Sequence, residues 1–147
     1  MGNRAVITDT NKKVGIYLHW DGGRNSVEAF LKYAQLQGVR NPIYDCYGWA
    51  RLCQIIANFF TESPQDMLSI GIDLYDRLDT DNGDNGTYVI DEKWNIVDRL
   101  YFDGAEQKGK TDLLTFLTVI DKAQPVKMQL GADRIEEELK NETIRNS

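Results

Sequence analysis

Val14-Gly15-Ile16-Tyr17-Leu18-His19-Trp20-Asp21-Gly22-Gly23-Arg24-Asn25-Ser26-Val27-Glu28-Ala29-Phe30 is the stretch whose reading decides the fold. Val14 to Trp20 has the β-branched and aromatic content of a strand, Asp21-Gly22-Gly23 breaks it, and Ser26 to Leu36 carries helical spacing. A strand therefore passes into a helix through two glycines. The first N–H groups of a helix have no partner within it, and the helix dipole adds partial positive charge, so anions are favoured there. Arg24, Asn25 and Ser26 supply side-chain donors at the same place, and Tyr17, His19 and Trp20 put flat rings beside it. Rings next to an anion hole suggest a nucleotide. The plainer reading is that Asn25 or Ser26 caps the helix while Glu28 complements its dipole.

Upstream, Arg4 to Thr8 reads as a strand that forms a hairpin with Val14 to Trp20 across the polar turn at Asp9 to Lys13. Downstream, Val27, Phe30, Leu31, Ala34 and Leu36 give the first helix an apolar face, stopped at Gly38 and broken at Asn41-Pro42. Leu52, Ile55, Ile56, Phe59 and Phe60 predict a second helix from about Gly48 to Phe60. Met67 to Tyr75 alternates as a half-buried strand, and Thr87 to Ile90 with Trp94 to Phe102 make a second hairpin. Between them lies Asp79-Thr80-Asp81-Asn82-Gly83-Asp84-Asn85-Gly86, with two Asn-Gly pairs and three aspartates. A last long helix starts near Thr111 or Asp112 and stops before Pro125. The order predicts an α+β fold: a mainly antiparallel sheet of about five strands with two to three helices packed on it. Residues 1–131 form one ligand-binding domain, and residues 132–147 are a charged tail, a weakly amphipathic helix at best, that is mobile or packs on another subunit.

At 147 residues, 41% hydrophobic and 10% aromatic, the chain suits one globular domain with a real core. A net charge of −6 argues against a sequence-independent grip on duplex nucleic acid or an anionic membrane, which needs clustered Lys and Arg. No apolar run approaches the roughly 20 residues of a membrane span, and no signal pattern opens the chain, so the expected location is the cytoplasm. Cys46 and Cys53 have neither metal-site nor disulfide-framework spacing, so both are read as reduced thiols, Cys53 in the core.

Each motif has an enzymatic or metal reading that its details weaken. Asp21-Gly22-Gly23-Arg24-Asn25-Ser26 resembles the pyrophosphate loop of PP-loop ATP pyrophosphatases, but Asp21 stands where Ser is needed, Asn25 where Asp is needed, and the β-β start supplies no parallel sheet. Asp45-Cys46 resembles the nucleophile segment of NlpC/P60 cysteine peptidases, yet the single histidine, His19, lies upstream where that family's lies downstream. An EF-hand register from Asp81 puts Gly83 where a ligand belongs. One His and no useful Cys spacing exclude zinc. What remains is Tyr47-Gly48-Trp49-Ala50-Arg51, which gathers rings and a guanidinium at the second helix start as Tyr17 to Ser26 does at the first.

Asn3 to Thr8, Tyr17-Leu18-His19-Trp20 with Gly22-Gly23-Arg24, Asp45 to Arg51, and Asp79 to Gly86 look like small proteins encoded by phages and prophages; the chain is similar to the Thoeris anti-defence sponges, roughly from Asn3 to Lys110. The resemblance implies an antiparallel core with helices, homo-oligomers with pockets between protomers, and non-covalent sequestration of cyclic ADP-ribose isomers made by TIR-domain enzymes. It implies also that some members bind cyclic oligonucleotide signals. The ligand-binding residues come from the residues themselves: Tyr17, His19, Trp20 and Trp49 to stack, Arg24, Arg51 and Arg99 to neutralise phosphates, Asn25, Asn82 and Asn85 to bond ribose or base edges. The expectation is a cytoplasmic sponge for a cyclic nucleotide messenger, with no catalytic residue, metal or cofactor. Its rivals are a protein-binding inhibitor of the anti-CRISPR type and a small Cys46/His19 hydrolase.

Overall fold

The computed structural model describes residues 2–62, 68–104 and 112–145. Strands β1 (Ala5–Asp9) and β2 (Val14–Leu18) lead into helices α1 (Arg24–Leu36) and α2 (Tyr47–Thr61). Strands β3 (Ile70–Leu74), β4 (Thr87–Ile90) and β5 (Ile96–Leu100) follow, and helices α3 (Leu113–Ala123) and α4 (Ala132–Arg145) close the described chain. Among the described residues the fold is α+β, with one five-stranded sheet in the order β3-β2-β1-β4-β5 and four α-helices. Three of the strand pairings are antiparallel, as the hairpins predict, but β1 and β4 run parallel. Among the described residues no helix is long and apolar enough to cross a membrane.

The register sorts the strand residues onto two faces. Ala5, Ile7, Ile16, Leu18, Tyr88 and Ile90 share the face under the helices and join its core, while Val6, Thr8, Gly15, Tyr17, Thr87 and Val89 share the other. That second face is also mostly buried, since Val6, Thr8, Gly15, Thr87 and Val89 are all covered. The cause is the parallel pair. β3 ends at one edge and β4 starts beyond β1, so residues 75–86 must cross the sheet on the face without helices. Leu78 lies on Gly15, where a Cβ would sit 2.9 Å from its Cδ1, and Thr87 Oγ1 donates to the Thr80 carbonyl at 3.1 Å.

The helix layer is tied by rings and by one buried carboxylate. Phe30, Phe59 and Phe116 bring one ring each from α1, α2 and α3, with centroids 5.4 to 6.0 Å apart. Such pairs add about 0.5–1.5 kcal/mol each beyond the area they bury. Asp121, 3% exposed, accepts the Tyr33 hydroxyl at 2.5 Å and the backbone N–H groups of Leu130 and Gly131 at 2.8 and 2.9 Å. Burial, and then the bond to Asp121, push the Tyr33 hydroxyl well above its ordinary pKa, so it stays protonated and donating. Asp121 thereby joins α1 to the turn that aims α4. The tail, expected to be mobile or bound to another subunit, is seated on its own chain: Ile135 is fully buried, Leu139 packs on the core, and Glu142 pairs with Lys32.

Several boundaries moved for local reasons. α1 begins at Arg24, and its N-cap is Gly23, which offers no side-chain cap; neither Asn25 nor Ser26 occupies that place. Trp94 belongs to the β4–β5 turn with φ of +69°, its indole Nε1 donating to the Val39 carbonyl at 3.3 Å, so β5 starts two residues later than expected. β3 is shorter than Met67 to Tyr75 and mostly exposed, because it is an edge strand that the helices only partly cover; Met67, like Thr111 at the expected α3 start, lies outside the described residues. Both edges are blunted alike. Asp73 accepts the N–H of Leu74 at 2.7 Å and Asp98 that of Arg99 at 2.9 Å, occupying amides that would otherwise invite another strand.

Replacing Asp121 with Ala leaves a buried hydroxyl and two amides without their acceptor. It is expected to lower unfolding free energy by roughly 3 kcal/mol, read from the urea midpoint, with hydrogen exchange in α4 accelerating first.

Candidate functional site

An open cleft of about 500 Å³ lies between the end of α1 and the start of α2. Its walls are Gln37 to Arg40, the Tyr47, Arg51, Gln54 and Ile55 face of α2, and Met128. Tyr47, Arg51, Gln54 and Ile55 are four, three and one residues apart, which puts them on one helical face. Ile55 is buried as the floor, while Tyr47, at 61% exposure, and Arg51 rise at the mouth. Arg40 reaches the same mouth because residue 48 is glycine. A Cβ there would fall 2.4 Å from the Pro42 nitrogen and 2.5 Å from the Arg40 carbonyl, so only a bare backbone lets this turn lie against the helix.

The mouth is held by an arrangement of three residues. Asp45 accepts the Tyr47 N–H on Oδ1 at 2.9 Å and the Arg40 Nη1 on Oδ2 at 2.7 Å, while the Arg40 guanidinium carbon stands 5.4 Å from the Tyr47 ring centre. The Tyr47 amide, and then Arg40, hold the Asp45 carboxyl below the usual carboxylate range, so it is ionised at neutral pH. Among the described residues, the only charged side chains lining the cleft are Arg40 and Arg51, in a chain of net charge −6. Gln37 helps to hold the wall, its Nε2 donating to the Tyr33 hydroxyl at 2.9 Å and to the Met128 carbonyl at 2.7 Å. Two guanidinium forks and an exposed ring can bind a phosphate and a base together.

The expected ligand residues divide into separate groups. Arg51 is in the cleft. Trp49, two residues before it, is 7% exposed and belongs to the hydrophobic core, because it faces the opposite side of α2 from Tyr47 and Arg51. Arg24 is ion-paired with Glu28 at 2.6 Å at the rim of a different hollow, and Asn25 is in the first turn of α1. Tyr17, His19 and Trp20 do form a ring cluster, with the Tyr17 hydroxyl 2.9 Å from His19 Nδ1 and the His19 and Trp20 rings edge to face at 5.3 Å. That cluster adjoins the crossover through Arg4, whose Nε and backbone N–H both reach Asp84. His19 is thus engaged with Tyr17, while Cys46 is an exposed thiol at the start of α2. Burial raises the Cys53 thiol to a pKa of about 11, which makes it inert at neutral pH.

Asn82, Asn85 and Arg99 shape the crossover. Asn82, 4% exposed, donates to the carbonyls of Asp79 and Gly86 and accepts from the N–H groups of Asp84 and Gly86. Asn85 donates to the Arg4 carbonyl at 3.0 Å and to Asn3, and Arg99 donates to the Asn85 carbonyl while its guanidinium lies 4.0 Å from the Tyr88 and Phe102 ring centres. Tyr47, Arg40, Gln37 and Gln54 are polar or aromatic cleft residues absent from the expected ligand set, which chose Trp49 over Tyr47 as the ring at this helix start. Gln54 could have been found from its spacing to Tyr47 and Arg51, but nothing local marks Arg40, which arrives across a turn.

The chain matches no protein-family model, no curated protein and no solved structure.

Asn82→Ala removes a buried amide that satisfies four backbone groups, two of them buried. The expected result is a loss of roughly 2–4 kcal/mol of stability in chemical denaturation.

Proposed function

We propose that this chain is a sponge: it binds a cyclic nucleotide-type messenger in the Arg40–Arg51 cleft and holds it without cleaving it. The observation that carries the reading is the charge of that cleft, lined by two arginines and an exposed tyrosine in an otherwise acidic protein. Its volume, about 500 Å³, is in the range of small-molecule sites. Stacking on Tyr47 is worth about 1–3 kcal/mol per base, and each guanidinium adds charge-assisted hydrogen bonds to phosphate. Tight binding follows from contacts alone.

The similarity to Thoeris anti-defence sponges supports a cyclic ADP-ribose isomer as that messenger. In this reading the protein acts as a homo-oligomer in the cytoplasm of an infected host, lowering the free messenger so that the immune effector stays silent. The described residues lining the cleft include donors and an aromatic face but no Cys or His, and the one carboxylate at its mouth, Asp45, is bonded to Arg40 and the Tyr47 amide, which favours holding over hydrolysis.

Thermal melts with cyclic ADP-ribose isomers, cyclic AMP and cyclic di-AMP test the reading. Ligand at about a hundredfold over Kd stabilises by about 2.7 kcal/mol, a rise of roughly 5–10 °C for a domain of this size. Arg51→Ala and Tyr47→Ala are expected to weaken binding about tenfold or more while leaving the ligand-free melting temperature within a degree or so. Heat release followed by chromatography should return the ligand intact. An altered ligand would make the protein a hydrolase, and no shift with any nucleotide would leave the protein-binding inhibitor.

A further inference from the structure

The Asp45 carboxylate stands beside Arg40, one of the two cations that line the cleft, and its geometry gives it two jobs. Oδ1 takes the Tyr47 N–H at 2.9 Å, which fixes the carboxylate to the start of α2. Oδ2 takes Arg40 Nη1 at 2.7 Å, which fixes the guanidinium near the face of Tyr47. The Asp45 side chain is only 25% exposed, so water screens its charge incompletely. We propose that Asp45 is the specificity-determining residue of this cleft, a charge filter that admits phosphodiesters and turns away terminal phosphomonoesters. The inference rests on the nucleotide reading of the cleft given above.

Arg40 and Arg51 contribute two positive charges and Asp45 one negative, so the mouth carries a net charge of one positive. Each phosphate of a diester, and each of the two in a cyclic ADP-ribose diphosphate, carries one negative charge, so the phosphate seated on Arg40 matches it. A phosphomonoester brings close to two at neutral pH and above, and its second charge meets a carboxylate that is already bonded to the same guanidinium. Arg40 has further N–H donors besides the one given to Asp45, so a diester oxygen can join without displacing the carboxylate. A monoester oxygen added there faces like-charge repulsion that the diester does not. Asp45 therefore both positions Arg40 and limits the charge it can receive.

The test compares two probes that differ by opening of one phosphodiester ring, 3′,5′-cyclic AMP and 5′-AMP, titrated calorimetrically at pH 8 and low salt into the full chain and into Asp45→Asn. Asn keeps an oxygen for the Tyr47 amide, so the helix start survives while the charge goes. The wild type is expected to favour cyclic AMP, and D45N to shift the ratio of the two affinities toward 5′-AMP by about three- to tenfold, with the difference fading in high salt. Should D45N not fold, Asp45→Ser removes the same charge and retains a capping oxygen. A carboxylate that served only to hold the turn would weaken both probes together, and an unchanged ratio would overturn the filter while leaving the sponge reading intact. Binding of neither probe to the wild type would also overturn the filter, and the sponge reading would then be judged by the melts with cyclic ADP-ribose isomers.

Discussion

One parallel pairing, β1 with β4, sets the layout of the molecule. Every other pairing in the sheet is antiparallel, but this one requires the chain to travel from one edge to the far side of β1 with only a short 3-10 turn at Tyr75–Arg77 and no α-helix to carry it. The crossover at residues 75–86 closes the second face of the sheet, so both sides of β1 are covered and all five of its residues are buried. A long connection with little regular structure needs its backbone groups satisfied by side chains. Asn82 does this for four of them, and Arg4 ties the strand entering β1 to Asp84. Gly83 and Gly86, with φ of +78° and +65°, make the left-handed turns on which these bonds depend. The unusual composition of Asp79 to Gly86 is therefore explained by the demands of covering a sheet.

With that face closed, the Arg40–Arg51 cleft lies on the helical side. There, the same economy of contacts appears at Gly48, where the absence of a side chain lets the Arg40–Pro42 turn touch α2. The turn and the helix each bring one arginine, and Tyr47 lies between them in sequence order and near Arg40 in space. An acidic protein thus has a local positive site, whose reach in solution is about a Debye length, or ~8–10 Å at physiological salt. Attraction over that distance suits a small diffusing anion better than a polymer. Asp45 tempers the site further, giving it selectivity in place of maximal attraction.

The edges of the sheet show how the fold stays discrete. β3 exposes Ile72 and Leu74, a pattern that would invite pairing with another strand, yet an aspartate in each edge strand occupies the next residue's amide. On the opposite side of the molecule, α4 covers apolar surface of the helix layer with Ile135 and Leu139 while showing its acidic residues to water. Its low hydrophobicity in sequence concealed this role. Two apolar side chains and the Lys32–Glu142 pair are enough to seat it, because Asp121 has already fixed the angle at which it leaves α3.

The sequence by itself determined the class of fold, the two hairpins, and the places where α1, α2 and α3 run, because these depend on the period of apolar residues and on local breakers such as Gly22-Gly23 and Asn41-Pro42. It also marked Arg51, through its place beside Tyr47 at a helix start. Only the tertiary structure decided that β1 and β4 are parallel, that Trp49 is core while Tyr47 is exposed, that Asn82 is a backbone clamp, and that Arg40 and Arg51 share a cleft. Strand partners far apart in sequence leave no periodic trace, and an aromatic or asparagine has the same local pattern whether it meets a ligand or its own chain. The burial of Trp49 follows from which side of α2 faces the sheet and α1, and the meeting of the two arginines follows from a close approach at Gly48; both are properties of packing, which acts across distances the sequence does not record.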